Sequence, residues 1–198
     1  MLQKNKGIDI IVEIGGLKEY QTAAKYIESV LTDEHLARIQ KIKNTEVIIK
    51  IANAIAMCRP DDIYVNTGSE KDRQFIRELA LEKGEEAPLA MSRHTIHFDL
   101  PEEQGRIIDR TYYIANENEE ISSLANRMDR VDAITEVRDK MVRIMKGKTM
   151  IIGFYVRGPI GSPVSNPALE ITSSAYVSHS AEILYRNAYL SFDQEVDR

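Results

Sequence analysis

Apolar residues recur at helical spacing in three consecutive segments near the start of the chain. In residues 18–31 they return every three or four positions, which predicts an amphipathic helix. Thr32 is a suitable N-cap for a second helix that follows directly. A third helix is predicted from Thr45 to Cys58, because Pro60 cannot continue it. The chain therefore opens with a run of short helices.

The next segment changes from strand to helix across a short junction. Residues 63–67 are β-branched and aromatic, as is typical of strands, and Gly68 ends the run. Ser69 and Asp72 have the spacing of a capping box, which predicts the start of a helix that Gly84 would end. A strand followed by a helix is the usual opening of an α/β unit.

The strongest signal for a buried strand lies in residues 149–156, which are almost all apolar. Residues 157–167 follow with three of the six prolines, and are predicted to be a loop. Further strands are predicted at residues 8–14, 94–98, 111–115 and 169–172, and further helices at residues 119–146 and 181–189. The whole pattern indicates an α/β protein without an internal repeat.

Composition excludes several classes of protein. The 198 residues include 26 basic and 31 acidic side chains, so the formal net charge is −5. This charge disfavours a nucleic-acid binder, whose affinity comes largely from neutralising phosphates. No segment approaches the roughly 20 apolar residues that span a bilayer, and no signal peptide follows Met1. The lone cysteine, Cys58, can form no internal disulfide, which fits a reducing cytoplasm.

The loop that contains Gly158 and Gly161 is one candidate for chemistry. Its glycines could let backbone amides approach an anion. Its prolines instead favour a rigid structural turn, because each removes an amide donor. The Gly-Lys-Ser/Thr ending of a Walker A loop does not follow. Both interpretations stay open at this stage.

Arg93 stands immediately before the predicted strand at residues 94–98. Its forked donors suit a carboxylate or a phosphate, and the alternative is an ordinary surface arginine in an ion pair. His94 and His97 are three positions apart, so a strand would direct them to opposite faces and away from a shared metal. Both interpretations of Arg93 stay open on the residues alone.

Other polar positions have simpler interpretations. Asp61 and Asp62 follow Pro60 and are interpreted as a solvated turn rather than a divalent-ion site. Cys58 has no base paired with it in the sequence and is interpreted as a small core residue. The charge-rich residues 127–146 are interpreted as a solvated helix face. We therefore assign no catalytic residue, no cofactor-binding residue and no metal ligand.

Three motifs in the second half of the chain occur in a characteristic order. They are residues 147–150 (GKTM), residues 158–163 (GPIGSP) and residues 170–177 (EITSSAYV). Upstream lie residues 58–63 (CRPDDI) and 68–70 (GSE). Together they resemble the signatures of GTP-dependent phosphoenolpyruvate carboxykinases, which have G-[RK]-T-M, G-P-x-G-S-P, L-T-D-S-x-Y-V, C-x-P-D-x-I and D-G-S-E-E. The resemblance spans residues 57–186, departs from the family at Ser173, where the family has an acid, and is archaeal in residues 94–99 (HTIHFD).

The resemblance implies an N-terminal domain with a mixed sheet and flanking helices, on the substrate side of the active-site cleft. The complete enzyme converts oxaloacetate and GTP to phosphoenolpyruvate, carbon dioxide and GDP, using Mn²⁺ and Mg-GTP. Of the family's functional residues, the substrate-carboxylate arginine has a match here in Arg93, which precedes Thr95 and Ile96. The family's nucleotide loop, metal ligands and lid lie farther along than residue 198, so no cofactor is expected on this chain alone.

We therefore expect residues 1–198 to form one substrate-side domain, with the C-terminal nucleotide-binding domain absent from this chain. The expected function is part of a carboxykinase, a carboxy-lyase of gluconeogenesis in the cytoplasm, that is inactive as this chain alone. Its expected partners are oxaloacetate or phosphoenolpyruvate and the missing domain, with no nucleic acid and no membrane. The alternative hypothesis is a stand-alone, non-catalytic remnant that binds a small dicarboxylate or a protein partner.

Overall fold

The computed structural model describes residues 16–100 and 107–197, which fall into two compact units. The core unit consists of residues 17–97 and 143–197. The strand–helix unit contains residues 16, 98–100 and 107–142. The strand expected at residues 8–14 lies outside the described residues. No helix within the described ranges is long and apolar enough to cross a membrane.

The secondary structure alternates between helices and short strands. The described helices are α1 (Tyr20–Val30), α2 (Asp33–Ile39), α3 (Thr45–Cys58), α4 (Glu70–Glu82), α5 (Arg130–Met141), α6 (Ala175–Leu184) and α7 (Phe192–Val196), with 3₁₀ turns at Ile108–Arg110 and Tyr189–Ser191. The described strands are β1 (Asp62–Val65), β2 (Ala87–Pro88), β3 (Thr95–Ile96), β4 (Tyr112–Ala115), β5 (Asn126–Asp129), β6 (Thr149–Arg157), β7 (Asn166–Thr172) and β8 (Arg186–Asn187). Of these, α5, β4 and β5 belong to the strand–helix unit.

A mixed four-stranded sheet is the centre of the core unit. β6 pairs in parallel with β1 and antiparallel with β7 and β8. Seven consecutive residues of β6, from Met150 to Val156, are buried, as the apolar run predicted. With helices flanking this sheet, the expected α/β fold with a mixed sheet is confirmed.

Helices cover both faces of the sheet. On one face, Ile151 packs with Ile76 of α4. On the other face, the ring of Phe154 lies 5.7 Å from that of Tyr189 and 5.1 Å from that of Phe192, centroid to centroid. Ile151 and Phe154 are separated by an odd number of positions along β6, so the strand directs them to opposite faces. The core of this unit therefore lies on both sides of one central strand.

α3 and α4 form where the sequence predicts them, because the N-terminal end of each carries its own capping side chain. Thr32 stands at the predicted N-cap position of α2, but its side chain makes no capping hydrogen bond. The side chain of Asn44 caps α3 by accepting a hydrogen bond from the amide of Val47 at 3.1 Å. Ser69 caps α4 by accepting from the amide of Asp72 at 3.2 Å, as the capping-box spacing predicted. Gly84 follows α4 with a φ of +67°, which glycine adopts without strain.

The helix expected over residues 119–146 was wrong in extent. Asn126–Asp129 instead forms β5, which pairs in parallel with β4. The helix begins only at Arg130, because the Asp129 carboxylate caps it by accepting from the amide of Val131 at 2.8 Å. Apolar spacing alone cannot distinguish a short strand that is paired with a distant segment from the first turn of a helix.

Two further expectations need correction. The expected strand at residues 94–98 is reduced to Thr95–Ile96, which pairs with Ala87–Pro88 in a small hairpin. The helix expected at residues 181–189 begins earlier, at Ala175, since Ser174 caps it. That helix ends at Leu184, because the chain continues into strand pairing with β6.

Candidate functional site

Arg93 lies in the turn that joins β2 to β3. The amide of Leu89 donates to the carbonyl of His94 at 2.9 Å across this turn. Arg93 has a backbone φ of +68°, in the left-handed region that is uncommon for residues other than glycine. Its side chain is exposed, and none of the acidic groups in residues 16–100 and 107–197 forms an ion pair with it. The structure therefore presents Arg93 at the tip of a hairpin.

The base of this hairpin contacts the first turn of α6 from both sides. Glu85 precedes β2, and its Oε2 accepts hydrogen bonds from Ser174 Oγ at 2.7 Å and from the amide of Tyr176 at 2.8 Å. His97 follows β3 and stacks on Tyr176 with 3.5 Å between ring centroids and 12° between ring planes. The two sides also meet each other, since His97 Nδ1 is 2.6 Å from the carbonyl oxygen of Glu85.

A second contact joins the hairpin to α6 one turn farther along. His179 Nδ1 lies 2.7 Å from Oε1 of Glu86. The side chain of Glu86 is only 3% exposed and that of His179 is 22% exposed. The other oxygen of Glu86, Oε2, is buried and has no hydrogen-bond partner among the described residues. A buried carboxyl group is costly without a hydrogen-bond partner, and His179 is the partner that the described residues supply to Glu86.

The two hairpin histidines contact separate backbone carbonyls. His94 Nδ1 is 3.0 Å from the carbonyl oxygen of Ser92, whereas His97 reaches Glu85. Within the described ranges, no three His, Cys, Asp or Glu side chains come together so that they could hold a metal ion.

The glycine–proline loop after β6 is held by Glu195 of α7. The amide of Gly161 donates to Glu195 Oε1 at 2.7 Å, and Ser165 Oγ donates to Oε2 at 2.6 Å. Glu195 is 2% exposed. Because an amide that could have met an anion already donates to a buried carboxylate, this geometry favours a rigid structural turn over a ligand-facing loop.

Another buried carboxylate, Asp72, joins β1 to α4. Its Oδ1 accepts from Tyr64 Oη at 2.7 Å and from Arg38 at 2.9 Å, and its Oδ2 accepts from the amide of Thr67 at 2.9 Å. Burial by itself raises the pKa of Asp72, but hydrogen bonds from Thr67 and Tyr64 and the charge of Arg38 lower it to about 2. Asp72 is therefore ionised at neutral pH and holds the β1–α4 junction in place.

Glu182 of α6 forms a third polar cluster, at the carboxyl end of β1. Its Oε1 accepts from Asn66 Nδ2 at 2.7 Å and from Tyr155 Oη at 3.1 Å. Burial, and then the neighbouring Glu182 charge, raise the pKa of Glu170 to about 7. Burial, with the Glu182 charge next, also raises the pKa of Tyr155 above its ordinary value. Glu170 therefore carries a proton for much of the time at neutral pH.

The residues with simpler interpretations have structural roles. Cys58 is 2% exposed, and burial raises the pKa of its thiol, as expected of a core residue. Asp61 and Asp62 are exposed, and Asp61 accepts a hydrogen bond from the amide of Gly147 at 2.9 Å. Both aspartates line a cleft of about 480 Å³ in the core unit, which does not include Arg93.

Comparison with known proteins connects this geometry to a family. Residues 50–198 match the family model described as the phosphoenolpyruvate carboxykinase N-terminal domain. The chain belongs to this family. The resemblance stated from the motifs is thereby confirmed.

Several curated relatives are named phosphoenolpyruvate carboxykinase (GTP). The relative from Pyrococcus furiosus is 39% identical over 170 residues, which are 86% of this chain and 27% of the relative. The one from Saccharolobus solfataricus is 32% identical over 172 residues, or 87% of this chain and 28% of the relative. The one from Treponema pallidum is 28% identical over 137 residues, which are 69% of this chain and 22% of the relative. The chain thus spans about a quarter of the length of these relatives, and its archaeal character agrees with the first two.

The carboxykinase signature segments have structural positions in this domain. GKTM enters β6, GPIGSP forms the loop on Glu195, and EITSSAYV passes from β7 into α6. Ser173 stands where the family has an acid. The cap is nevertheless complete, since Ser174 Oγ accepts from the amide of Val177 at 3.2 Å and its own amide donates to Thr172 Oγ1 at 3.0 Å.

The residues that hold the Arg93 hairpin of this carboxykinase-family domain carry no signal in the sequence. Glu85, Glu86 and His179 are ordinary polar residues in the sequence, and Glu86 and His179 are 93 positions apart. The pair of acids after Gly84 gave no local signal, because its partners are on α6. The candidate site therefore combines one arginine that the sequence predicted with residues that hold its hairpin and that the sequence did not predict.

Proposed function

We propose that this chain is the N-terminal, substrate-side domain of a cytoplasmic GTP-dependent phosphoenolpyruvate carboxykinase, and that residues 1–198 act as one domain. The observation that carries the proposal is the match, over 86% of the chain, to relatives that bear this name. The complete protein would convert oxaloacetate and GTP to phosphoenolpyruvate, carbon dioxide and GDP, with its nucleotide-binding domain supplied outside these residues.

Arg93 is the residue that this domain contributes to substrate binding. Its exposed guanidinium and the lack of an ion pair to any described acid leave its forked donors available to a carboxylate.

Oxaloacetate carries two carboxylates, and one of them must be held while the other is lost as carbon dioxide. A bidentate contact from Arg93 would fix the retained carboxylate and so orient the enolate toward the phosphoryl group. Mn²⁺ and Mg-GTP would supply charge neutralisation during the transfer. The part of the reaction that we assign to this domain is therefore binding and orientation of the substrate.

The apolar surface of the core unit supports an additional domain as partner. Exposed apolar side chains occur in the glycine–proline loop and beyond Tyr176. They include Val164 at 82% exposure, Ile183 at 73% and Leu184 at 68%. Such a surface is typical of an interaction site, and we expect the isolated chain to self-associate at high concentration.

The experiment compares this chain alone with the full-length protein encoded by the same gene. The gene is first sequenced beyond the codon for Arg198, where we expect an open frame that encodes a Gly-Lys-Thr loop. GTP-dependent formation of phosphoenolpyruvate from oxaloacetate is then measured for both proteins. We expect turnover by the full-length protein and none by the chain alone.

Either of two results would contradict the proposal. GTP-dependent turnover by the 198-residue chain would show that the downstream domain is not needed. A stop codon after Arg198, together with binding of a dicarboxylate without turnover, would support the non-catalytic remnant instead. Calorimetric titration with oxalate distinguishes that remnant from a chain that binds no dicarboxylate.

A further inference from the structure

We propose that the Glu86–His179 pair and the His97–Tyr176 stack are positioning groups that fix the Arg93 turn for substrate binding. The proposal rests on the proposed function, since it gives Arg93 a substrate to meet. None of the four residues needs to touch that substrate. Each acts through the hairpin that carries Arg93.

The hairpin is too short to hold itself in place. β2 and β3 have two residues each, and their register consists of Ala87 opposite Ile96 and Pro88 opposite Thr95. Pro88 has no amide hydrogen to donate to this ladder. Even a longer isolated two-stranded hairpin is only marginally stable in water. The position of Arg93 must therefore be set by contacts at the base of the hairpin.

Those contacts hold both strands to one rigid element. On the β2 side, Glu85 binds Ser174 and the amide of Tyr176, and Glu86 reaches His179. On the β3 side, the ring of His97 lies flat against Tyr176. α6 in turn packs against α4 and the central sheet, with Ala175 in the buried core. These contacts fix the hairpin to the core unit at three positions of α6 and its N-cap, namely Ser174, Tyr176 and His179.

Among these contacts, Glu86 depends most on a single partner, His179. Oε2 of Glu86 is already buried without a hydrogen bond, and Oε1 depends on His179. Removal of the imidazole leaves both oxygens of a buried carboxylate without that partner. Glu86 would then gain by moving toward water, and the start of β2 would move with it. The Arg93 turn would lose its fixed position.

The first test measures how readily the hairpin opens, using the 198-residue chain and trypsin. Trypsin cleaves after Arg93 only when the turn detaches and becomes extended, so cleavage reports the population of the open hairpin. Cleavage after Lys146, which lies in an exposed turn of the same unit, serves as the internal reference. We expect His179→Leu to accelerate cleavage after Arg93 by about tenfold or more relative to Lys146.

Matched variants distinguish local opening of the hairpin from a general loss of stability of the core unit. His179→Asn keeps a donor near the position of Nδ1, so we expect cleavage close to that of the wild type. Tyr176→Phe keeps the stacked ring, whereas Tyr176→Ala removes it and should accelerate cleavage after Arg93. Ile183→Ala alters an exposed residue of the same helix, which is 73% exposed, and should leave cleavage unchanged. If His179→Leu accelerated trypsin cleavage equally after Arg93 and after Lys146, the proposal that His179 holds this hairpin locally would be overturned.

The second test uses the full-length protein and separates positioning from structure. We expect His179→Leu to raise the KM for oxaloacetate by about tenfold, to leave the KM for GTP unchanged, and to be rescued by His179→Asn. Equal changes in both KM values, or an unchanged KM for oxaloacetate, would overturn the positioning role. Absence of turnover in the wild type would overturn the proposed function and the positioning role that rests on it. Whether His179 and Tyr176 hold the hairpin is decided separately, by the trypsin result.

Discussion

Arg38 of α2 and Asp72 of α4 form an ion pair, with 2.9 Å between the guanidinium Nη1 and Oδ1. The side chain of Asp72 is fully buried and that of Arg38 is 15% exposed. Arg38 also donates to the carbonyl of Val65 at 2.7 Å, so the pair connects two helices to the end of β1. A buried pair of this kind makes the stability of the core unit sensitive to acid.

The first prediction concerns that sensitivity. The folded-state pKa of Asp72 is about 2, below its ordinary value of 3.8, so the ionised form favours folding. This contribution, about 2 kcal/mol, is fully present above about pH 4 and is lost as the pH falls toward 2. Urea unfolding measured across this range should show a loss of stability in the wild type that Asp72→Asn lacks. Parallel curves for the two proteins would contradict the prediction.

Glu170 should have the opposite effect on stability. Burial, and then the charge of Glu182, raise its pKa from 4.5 to about 7. A carboxyl group that binds its proton more tightly in the folded state favours folding at low pH, and this contribution is lost as the pH rises from about 4.5 to about 7. The Tm should therefore fall less over this range in Glu170→Gln than in the wild type. The exposed Glu82→Gln is the control and should follow the wild type.

The third prediction concerns the carboxylate that holds the glycine–proline loop. Glu195→Ala leaves the amide of Gly161 without its acceptor and removes one of two acceptors of the Ser165 hydroxyl, which keeps the carbonyl oxygen of Ser162 at 2.8 Å. We expect a loss of about 2–4 kcal/mol, which lowers the Tm by roughly 5–15 °C in a chain of this size. Differential scanning calorimetry measures the change, with the exposed Glu82→Ala as control. A change as small as that of the control would show that the loop is held by other contacts.

Two glycines provide a matched test of crowding at the β1–α4 junction. Gly68 and Gly84 both have positive φ, +74° and +67°, so alanine is strained at either position. A Cβ on Gly68 would also come 2.3 Å from Cγ of Asn187, whereas nothing lies within 4 Å at Gly84. We expect Gly84→Ala to cost about 1 kcal/mol, and Gly68→Ala about 2 kcal/mol more.

Asn187 cannot easily move away from that added methyl group. Its side chain accepts a hydrogen bond from the amide of Tyr189 at 3.0 Å and donates to Glu182 at 3.4 Å. Comparison of the two Tm values measures the difference directly. Equal losses for Gly68→Ala and Gly84→Ala would mean that the packing around Asn187 adjusts freely.

Elements with chemically marked ends could be predicted from the sequence. α3 spans Thr45–Cys58 as expected, and α4 begins after Ser69 and ends before Gly84. β5 could not be predicted, because its strand character depends on pairing with β4, and its four residues carry no distinct pattern. The predicted bounds of α6 were wrong for a similar reason. Its start depends on Ser174, whose hydroxyl both caps the helix and donates to the distant Glu85.

The candidate site was predictable only in part. Arg93 was predicted from the chemistry of its side chain and from resemblance to the family, and its role stays a prediction. The groups that hold its hairpin were not, since Glu86 lies 93 positions from its partner His179, and Glu195 lies 30 positions from Ser165. Buried carboxylates with distant partners cannot be distinguished from solvated ones by local composition.

Steady-state kinetics of the full-length protein with Arg93 replaced test the account most directly. Arg93→Gly suits the left-handed backbone of the turn, so its effect reports the lost guanidinium rather than strain, and Arg93→Ala provides a second estimate. A bidentate contact worth about 2 kcal/mol or more predicts a fall in kcat/KM for oxaloacetate of at least roughly 30-fold, with a higher KM and a lower kcat. The KM for GTP should not change. An unchanged kcat/KM for oxaloacetate in both variants would contradict the assignment of Arg93 as the substrate-binding arginine.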